Sequence, residues 1–175
     1  KVDSQKAVSA WTDVTDNDYV VWIRTTALAA TAGTKLAGGS NGETVTGLQY
    51  QAYIDAIEPY YFNCMGYVGT DETIQSLLIA FVKRMRDSVG AKFQLVLYGK
   101  EGADYEGVIS IKNAVTDVGE SPASAVYWLA GAEASCNINA SCTNKTYDGE
   151  FAINTKYSQS DMEKAITDGM LMFHN

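Results

Sequence analysis

Ile74-Gln75-Ser76-Leu77-Leu78-Ile79-Ala80-Phe81-Val82-Lys83-Arg84-Met85-Arg86-Asp87-Ser88-Val89-Gly90-Ala91-Lys92-Phe93-Gln94-Leu95-Val96-Leu97-Tyr98 is the stretch on which the fold turns. Its first part has helical periodicity. Ile74, Leu77, Leu78, Phe81, Val82, Met85 and Val89 recur at intervals of three and four and form one apolar stripe. Thr70 or Asp71 is placed to cap the start, and the acids Asp71 and Glu72 sit at the positive end of the helix dipole. Lys83, Arg84 and Arg86 sit near the negative end, and Gly90 is placed for a left-handed C-terminal cap. Phe93 to Tyr98 follows as a near-continuous apolar run, the pattern of a strand covered on both faces.

The flanking sequence extends this pattern. Asp18-Tyr19-Val20-Val21-Trp22-Ile23-Arg24 is β-branched and aromatic and predicts a strand. Residues 29–47 are small and glycine-rich and predict a long loop. Tyr50, Tyr53, Ile54 and Ile57 have helical spacing, and Pro59 stops that helix. Tyr61 to Val68 is an apolar run of strand length. Beyond Tyr98, residues 99–107 read as a polar turn and Val108 to Asn113 as another strand. Ser121-Pro122 opens a helix that runs to about Cys136 and is rich in Ala and Gly. Residues 137–157 are polar loop. Ser158-x-x-Asp161 approximates a capping box for a short helix with Met162, Ala165 and Ile166 facing inward; Gly169 ends it and Met170 to Phe173 is the last strand. Helices alternating with apolar strands predict an α/β fold, a largely parallel mixed sheet covered by helices, with residues 1–175 as a single domain.

Composition narrows the function classes. The chain has 175 residues, 46% apolar and 19% charged, which excludes a disordered chain, a collagen and a coiled coil. No apolar stretch approaches the ~20 residues of a membrane helix. A net charge of −8 opposes binding to a phosphate backbone, so neither nucleic acid nor membrane is an expected partner. The three cysteines, Cys64, Cys136 and Cys142, lack C-x-x-C spacing and are accompanied by a single histidine, His174. They read as reduced, buried thiols rather than as a zinc site or a disulfide scaffold.

Candidate chemistry is sparse. Gly38-Gly39-Ser40-Asn41-Gly42 matches G-x-S-x-G, but a nucleophile elbow must leave a buried strand and open a helix. Thr34-Lys35-Leu36-Ala37 before it and Glu43-Thr44-Val45-Thr46 after it provide neither. Asp13, Asp16 and Asp18 cluster as calcium ligands do, without the central Gly and closing Glu of an EF-hand. There is no phosphate loop and no dinucleotide fingerprint. The expectation is no catalytic residue, no cofactor and no metal. Lys83, Arg84 and Arg86 are left either as a solvated helix face or as an inter-subunit salt-bridge surface.

Several stretches, taken in order, resemble contractile tail sheath proteins of phages and phage-like particles, of the type found in prophages of Gram-positive bacteria. They are Phe81-Val82-Lys83-Arg84-Met85-Arg86-Asp87-x-x-Gly90-x-Lys92-Phe93-Gln94-x-Val96-Leu97-Tyr98, Asp104-Tyr105-Glu106-Gly107-Val108-Ile109-Ser110, and Val126-Tyr127-Trp128-Leu129-Ala130-Gly131-Ala132-Glu133-Ala134. Two more are Cys142-Thr143-Asn144-Lys145-Thr146-Tyr147-Asp148-Gly149-Glu150-Phe151 and Tyr157-Ser158-Gln159-x-x-Met162-Glu163-x-Ala165-Ile166, closing on Phe173-His174. The Gly38-Gly39-x-Asn41-Gly42 loop also fits. The resemblance implies the central domain of a sheath subunit, with terminal arms and a C-terminal domain lying outside these 175 residues. It further implies a non-enzymatic role in the virion tail, with assembly in the host cytoplasm. The implied partners are other sheath subunits in stacked hexameric rings, the tail tube protein and the baseplate. Contraction of the rings would drive the tube through the host envelope. A type VI secretion sheath component and a small-ligand α/β binding domain are the alternative readings.

Overall fold

A computed structural model describes residues 8–18, 21–30, 42, 44–137 and 139–174. The chain packs as two units, Lys1–Glu43 and Thr44–Asn175.

In the first unit, Trp11–Asp13 form a single 3-10 turn. The Asp13 carboxylate accepts the Ser9 and Ala10 N–H groups at 2.8 and 2.9 Å. Asp16 accepts the Trp22 N–H at 2.9 Å and pairs with the Arg24 guanidinium at 2.8 Å. These two carboxylates, expected as part of an acidic cluster, thus bind backbone donors and a cation of the chain itself. The strand expected over residues 18–24 does not form at its described positions. Tyr19 and Val20 lie outside the described residues, and Val21 and Ile23 are 76% and 77% exposed on chain that pairs with no strand. Strand propensity measures the fit of a side chain to a pleated, half-buried surface. At the described positions Asp16 takes up the Trp22 N–H and the Arg24 guanidinium instead.

The second unit is a three-layer α/β block. Its strands are β1 (Cys64–Gly66), β2 (Gln94–Tyr98), β3 (Val108–Ile111) and β4 (Met170–Leu171). They lie in the order β1-β2-β3-β4, every neighbouring pair parallel. The one antiparallel element among the described residues is an isolated bridge, Val115 to Ile153. The helices are α1 (Gly47–Ile57), α2 (Glu72–Arg84), α3 (Ala125–Ala134) and α4 (Gln159–Thr167).

The alternation along β2 organises the core. Leu95 and Leu97 are fully buried against α1 and α2, in a cluster with Ile54, Leu78, Phe81 and Val82. Val96 points to the opposite face and packs with Ile111, Val126 and Leu129. Burial on both faces accounts for the unbroken apolar run in the sequence.

Helix α2 starts as expected, with the Asp71 carboxylate accepting the Thr73 and Ile74 N–H groups at 2.8 and 3.1 Å. Its end differs. After Arg84 the chain widens into a π-helical turn, Met85–Val89, which Gly90 closes at φ 85°. The wider turn rotates the following residues off the apolar stripe, so Met85 is buried but Val89 is 59% exposed. Ile166 is likewise exposed rather than inward; only Ala165 is buried in α4. Helix α3 starts at Ala125, because Pro122 to Ser124 form a turn in which Ser121 Oγ accepts the Ala123 N–H.

The connection from β2 to β3 is short for a parallel pair, which ordinarily needs a dozen or more residues and a helix. Residues 99–107 make the return without one. The reversal uses positive φ at Gly99 (68°) and Gly102 (64°). Ala103 and Tyr105 then pack on the α2 side of the sheet.

Candidate functional site

The three cations at and just past the end of α2 are held in three different ways. Lys83 Nζ lies 5.2 Å from the centroid of the Tyr105 ring, an exposed cation–π contact. Arg84 makes a two-pronged pair with Glu58, just past α1, at 2.9 and 2.6 Å. The hydrogen bond from Arg84 holds the Glu58 carboxyl below its ordinary pKa.

Arg86 belongs to the π turn and is turned inward, its side chain only 11% exposed. One guanidinium nitrogen donates to the Phe93 carbonyl and another to Glu106, both at 2.8 Å. Its stem runs so close to Gly107 that a Cβ there would lie 2.5 Å from Arg86 Cδ. Burial opposes its charge, but the hydrogen-bonded Glu106 carboxylate and the adjacent Tyr105 outweigh that cost and its pKa stands above the ordinary value. Tyr105 in turn donates its hydroxyl to Asp87 at 2.7 Å. Arg86 therefore ties the short β2–β3 return to the end of α2. Lys83 and Arg84 are the members of the trio whose charges face water.

A second constellation lies beside β4. Asn113 is fully buried and accepts the Phe173 N–H at 2.7 Å while donating to the Phe173 and Asn154 carbonyls at 2.9 and 2.8 Å. Its amide continues the β3–β4 ladder past the last strand residue. Trp128, Tyr147 and Phe173 stack against one another with centroids 4.9 to 5.5 Å apart, and Trp128 donates its indole N–H to Asp148 at 2.6 Å. These rings line a surface groove of about 630 Å3 whose rim includes Cys142, Lys145 and His174. A second groove, about 410 Å3, runs between α1 and the β1 edge and is lined by Tyr50, Tyr53, Met65, Tyr67 and Leu78.

Ser40 and the glycine-rich stretch 38–41 lie outside the described residues. Among the described residues no three His, Cys, Asp or Glu side chains converge as a metal site would require, and no helix is long and apolar enough to cross a membrane. The cysteines are free and half-buried rather than fully buried. The sequence reading passed over Asn113 and Gln75. Asn113 follows Ile109 and Ile111 at period two, which places its amide on an inward face. Gln75 shares a helix face with Leu78, Ile79 and Val82, and its buried amide donates to the Tyr98 carbonyl at 2.8 Å.

The family model described as "Phage tail sheath protein central domain" matches residues 43–175. Two Bacillus subtilis (strain 168) proteins are related to this chain. Protein YqbK is 33% identical over 84% of this chain and 32% of its own length. The phage-like element PBSX protein XkdK is 30% identical over 83% of this chain and 32% of its own length. Among solved structures, the sheath tail protein of Desulfitobacterium hafniense superposes with a TM-score of 0.71 at 38% identity, covering 86% of this chain and 37% of that one. A sheath tail protein of Listeria innocua gives 0.67 at 32% identity, covering 81% and 33%. The chain spans about a third of the length of these relatives.

Proposed function

The chain belongs to the phage tail sheath protein family, through that family's central domain, and from this premise we propose that it forms part of the wall of a contractile tail. Subunits stack as hexameric rings around the tail tube, and a signal from the baseplate converts an extended wall to a wider, shorter one that drives the tube through the host envelope. Such a machine needs no bond hydrolysis. The work comes from the difference in inter-subunit contact free energy between two packings of the same subunits. The protein resides in the virion tail and assembles in the host cytoplasm.

The family match across residues 43–175 is the observation that carries the reading. The fold suits it. Two apolar clusters, one on each face of a parallel sheet, make a stiff block able to move as a body while its outer surface exchanges neighbours. Lys83 supplies exposed positive charge on a chain of net charge −8, suited to acidic surfaces of adjacent subunits, beside an Arg84 that Glu58 already pairs and that would have to exchange partners to join them. Arg86 supports that face from beneath. Immunogold labelling of tailed particles that carry the full-length protein tests the assignment, using an antibody raised against residues 44–174. Label along the whole tail shaft is expected. Label confined to the head or the baseplate, or absent from intact tails that still contain the protein, overturns it.

A further inference from the structure

Strand β1 is an edge of the sheet, with β2 as its neighbour on one side only. On that side the Gln94 N–H donates to the Asn63 carbonyl at 3.1 Å and the Tyr67 N–H to the Val96 carbonyl at 3.0 Å. In a parallel ladder, alternate residues of a strand turn both backbone groups to the same neighbour. Residues 63, 65 and 67 therefore serve β2, and the N–H and C=O groups of Cys64 and Gly66 point away from the sheet. Among the described residues these outward groups take part in no hydrogen bond.

Proteins ordinarily blunt such an edge with a lysine, a proline or a bulge. Strand β1 has none of these. Its register with β2 is regular from Cys64 to Gly66. Residues 59–70 carry no charge, and Gly66 is exposed. Two grooves, about 410 and 320 Å3, open beside the strand on its α1 side, and Tyr53, Met65 and Gly66 line both.

We propose that β1 pairs with β1 of a second copy of this chain, antiparallel, across a two-fold axis at Met65. In that register each Cys64 lies opposite Gly66 of the second copy. The two residues exchange N–H···O=C bonds, four in all across the seam, and every outward group of β1 is satisfied. Side chains fit as well as backbones. Met65 packs on the α1 and α2 side, and Cys64 on the α3 side. Directly opposed residues share a face, so each Cys64 side chain meets a glycine. Charge also favours a second copy as the occupant. Each chain carries −8, yet residues 59–70 bring no charge to the seam, so two copies meet where their repulsion is weakest. Tyr60 and Tyr61, just before β1, are exposed and add apolar surface to be covered.

The pairing covers an edge that would otherwise template aggregation. It is two-fold, whereas a ring is built head to tail. The dimer is therefore a form of the free chain, separate from the ring contacts, and its failure leaves the sheath reading standing.

Sedimentation equilibrium of the chain in reducing buffer, from micromolar to millimolar concentration, tests the pairing. A monomer–dimer equilibrium is expected, the larger species having twice the 18.9 kDa of the chain. Hydrogen exchange at the Cys64 and Gly66 amides should slow as the dimer forms, a readout that needs no variant. Cys64→Pro removes an outward N–H that the sheet does not use, and Cys64→Lys sets like charges across the axis. Each variant, once circular dichroism shows it folded, should dimerise about tenfold or more weakly. Ile166→Lys alters an exposed apolar residue of α4, which packs on β4 at the opposite edge of the sheet, and should leave dimerisation unchanged. A chain that stays monomeric throughout, assemblies larger than a dimer, or exchange at Cys64 and Gly66 that ignores concentration would each overturn the proposal. So would a folded Cys64 variant that dimerises like the parent, or an equal loss with Ile166→Lys.

Discussion

Replacing Asn113 probes how the last strand is held. Its amide makes three hydrogen bonds, two to the main chain of Phe173 and one to the Asn154 carbonyl, from a fully buried position. Leucine has the same forked shape with bulkier methyl tips and makes none of them, and any overpacking only adds to the loss. At roughly 1 kcal/mol net for each bond, Asn113→Leu costs about 3 kcal/mol. Phe173 is partly open to water, so the orphaned groups recover some hydration and the loss stays near that figure rather than several times it. For a chain of this size the melting temperature falls by roughly 6–12 °C. Asn113→Asp isolates the electrostatics. Its carboxylate still accepts the Phe173 N–H but faces two carbonyl oxygens, so its folded pKa rises above the ordinary value of about 3.9. A raised folded pKa means that the native state binds the proton more tightly than the unfolded state. Stability of this variant must therefore increase as pH falls from 7 through that pKa, while Asn113→Leu shows no such extra gain. Urea unfolding followed by circular dichroism at pH 7 and pH 5 measures both. A loss below about 1 kcal/mol for Asn113→Leu would refute the idea that this amide anchors the end of the sheet.

Three further outcomes are expected. Phe81 is 4% exposed and stacks 5.8 Å from Phe93, so Phe81→Ala should cost about 3–5 kcal/mol in denaturant unfolding, and a loss under about 1 kcal/mol would remove the α2 stripe from the core. Gly90 closes the π turn at φ 85° with open space where a Cβ would stand, so Gly90→Ala should destabilise by about 1 kcal/mol through backbone strain alone; no change would mean the turn relaxes. Arg84→Ala should let the Glu58 carboxyl titrate higher, back toward the ordinary carboxylate range, as followed by NMR of the side-chain carbon, and an unmoved titration would show that the ion pair is not populated in solution.

The block from α1 to β4 was legible because its signals are strong and local. The capped stripe of α2 and the doubly buried run of β2 need no tertiary information to be read. Four features were less legible, each for a physical reason. The strand expected over residues 18–24 depends on a partner that β propensity cannot supply. Val89 left the stripe because a π turn changes the period at which residues face the core, and no residue type announces such a turn. The grouping of Arg86 with Lys83 and Arg84 followed from adjacency in sequence. Its burial follows from Phe93, Glu106 and Gly107, contacts that exist only once the β2–β3 return has folded back against α2. Asn113 was within reach, since a polar residue in register with Ile109 and Ile111 must find buried partners.

Cryo-electron microscopy of assemblies of the full-length protein tests the sheath assignment most directly. The account predicts hollow cylinders whose wall density repeats the parallel four-stranded block of residues 44–174, the same block fitting both an extended and a contracted form while its contacts with neighbouring copies change. A full-length protein that remains a monodisperse small particle under conditions where tails assemble, or cylinders whose walls cannot accommodate this block, would contradict it.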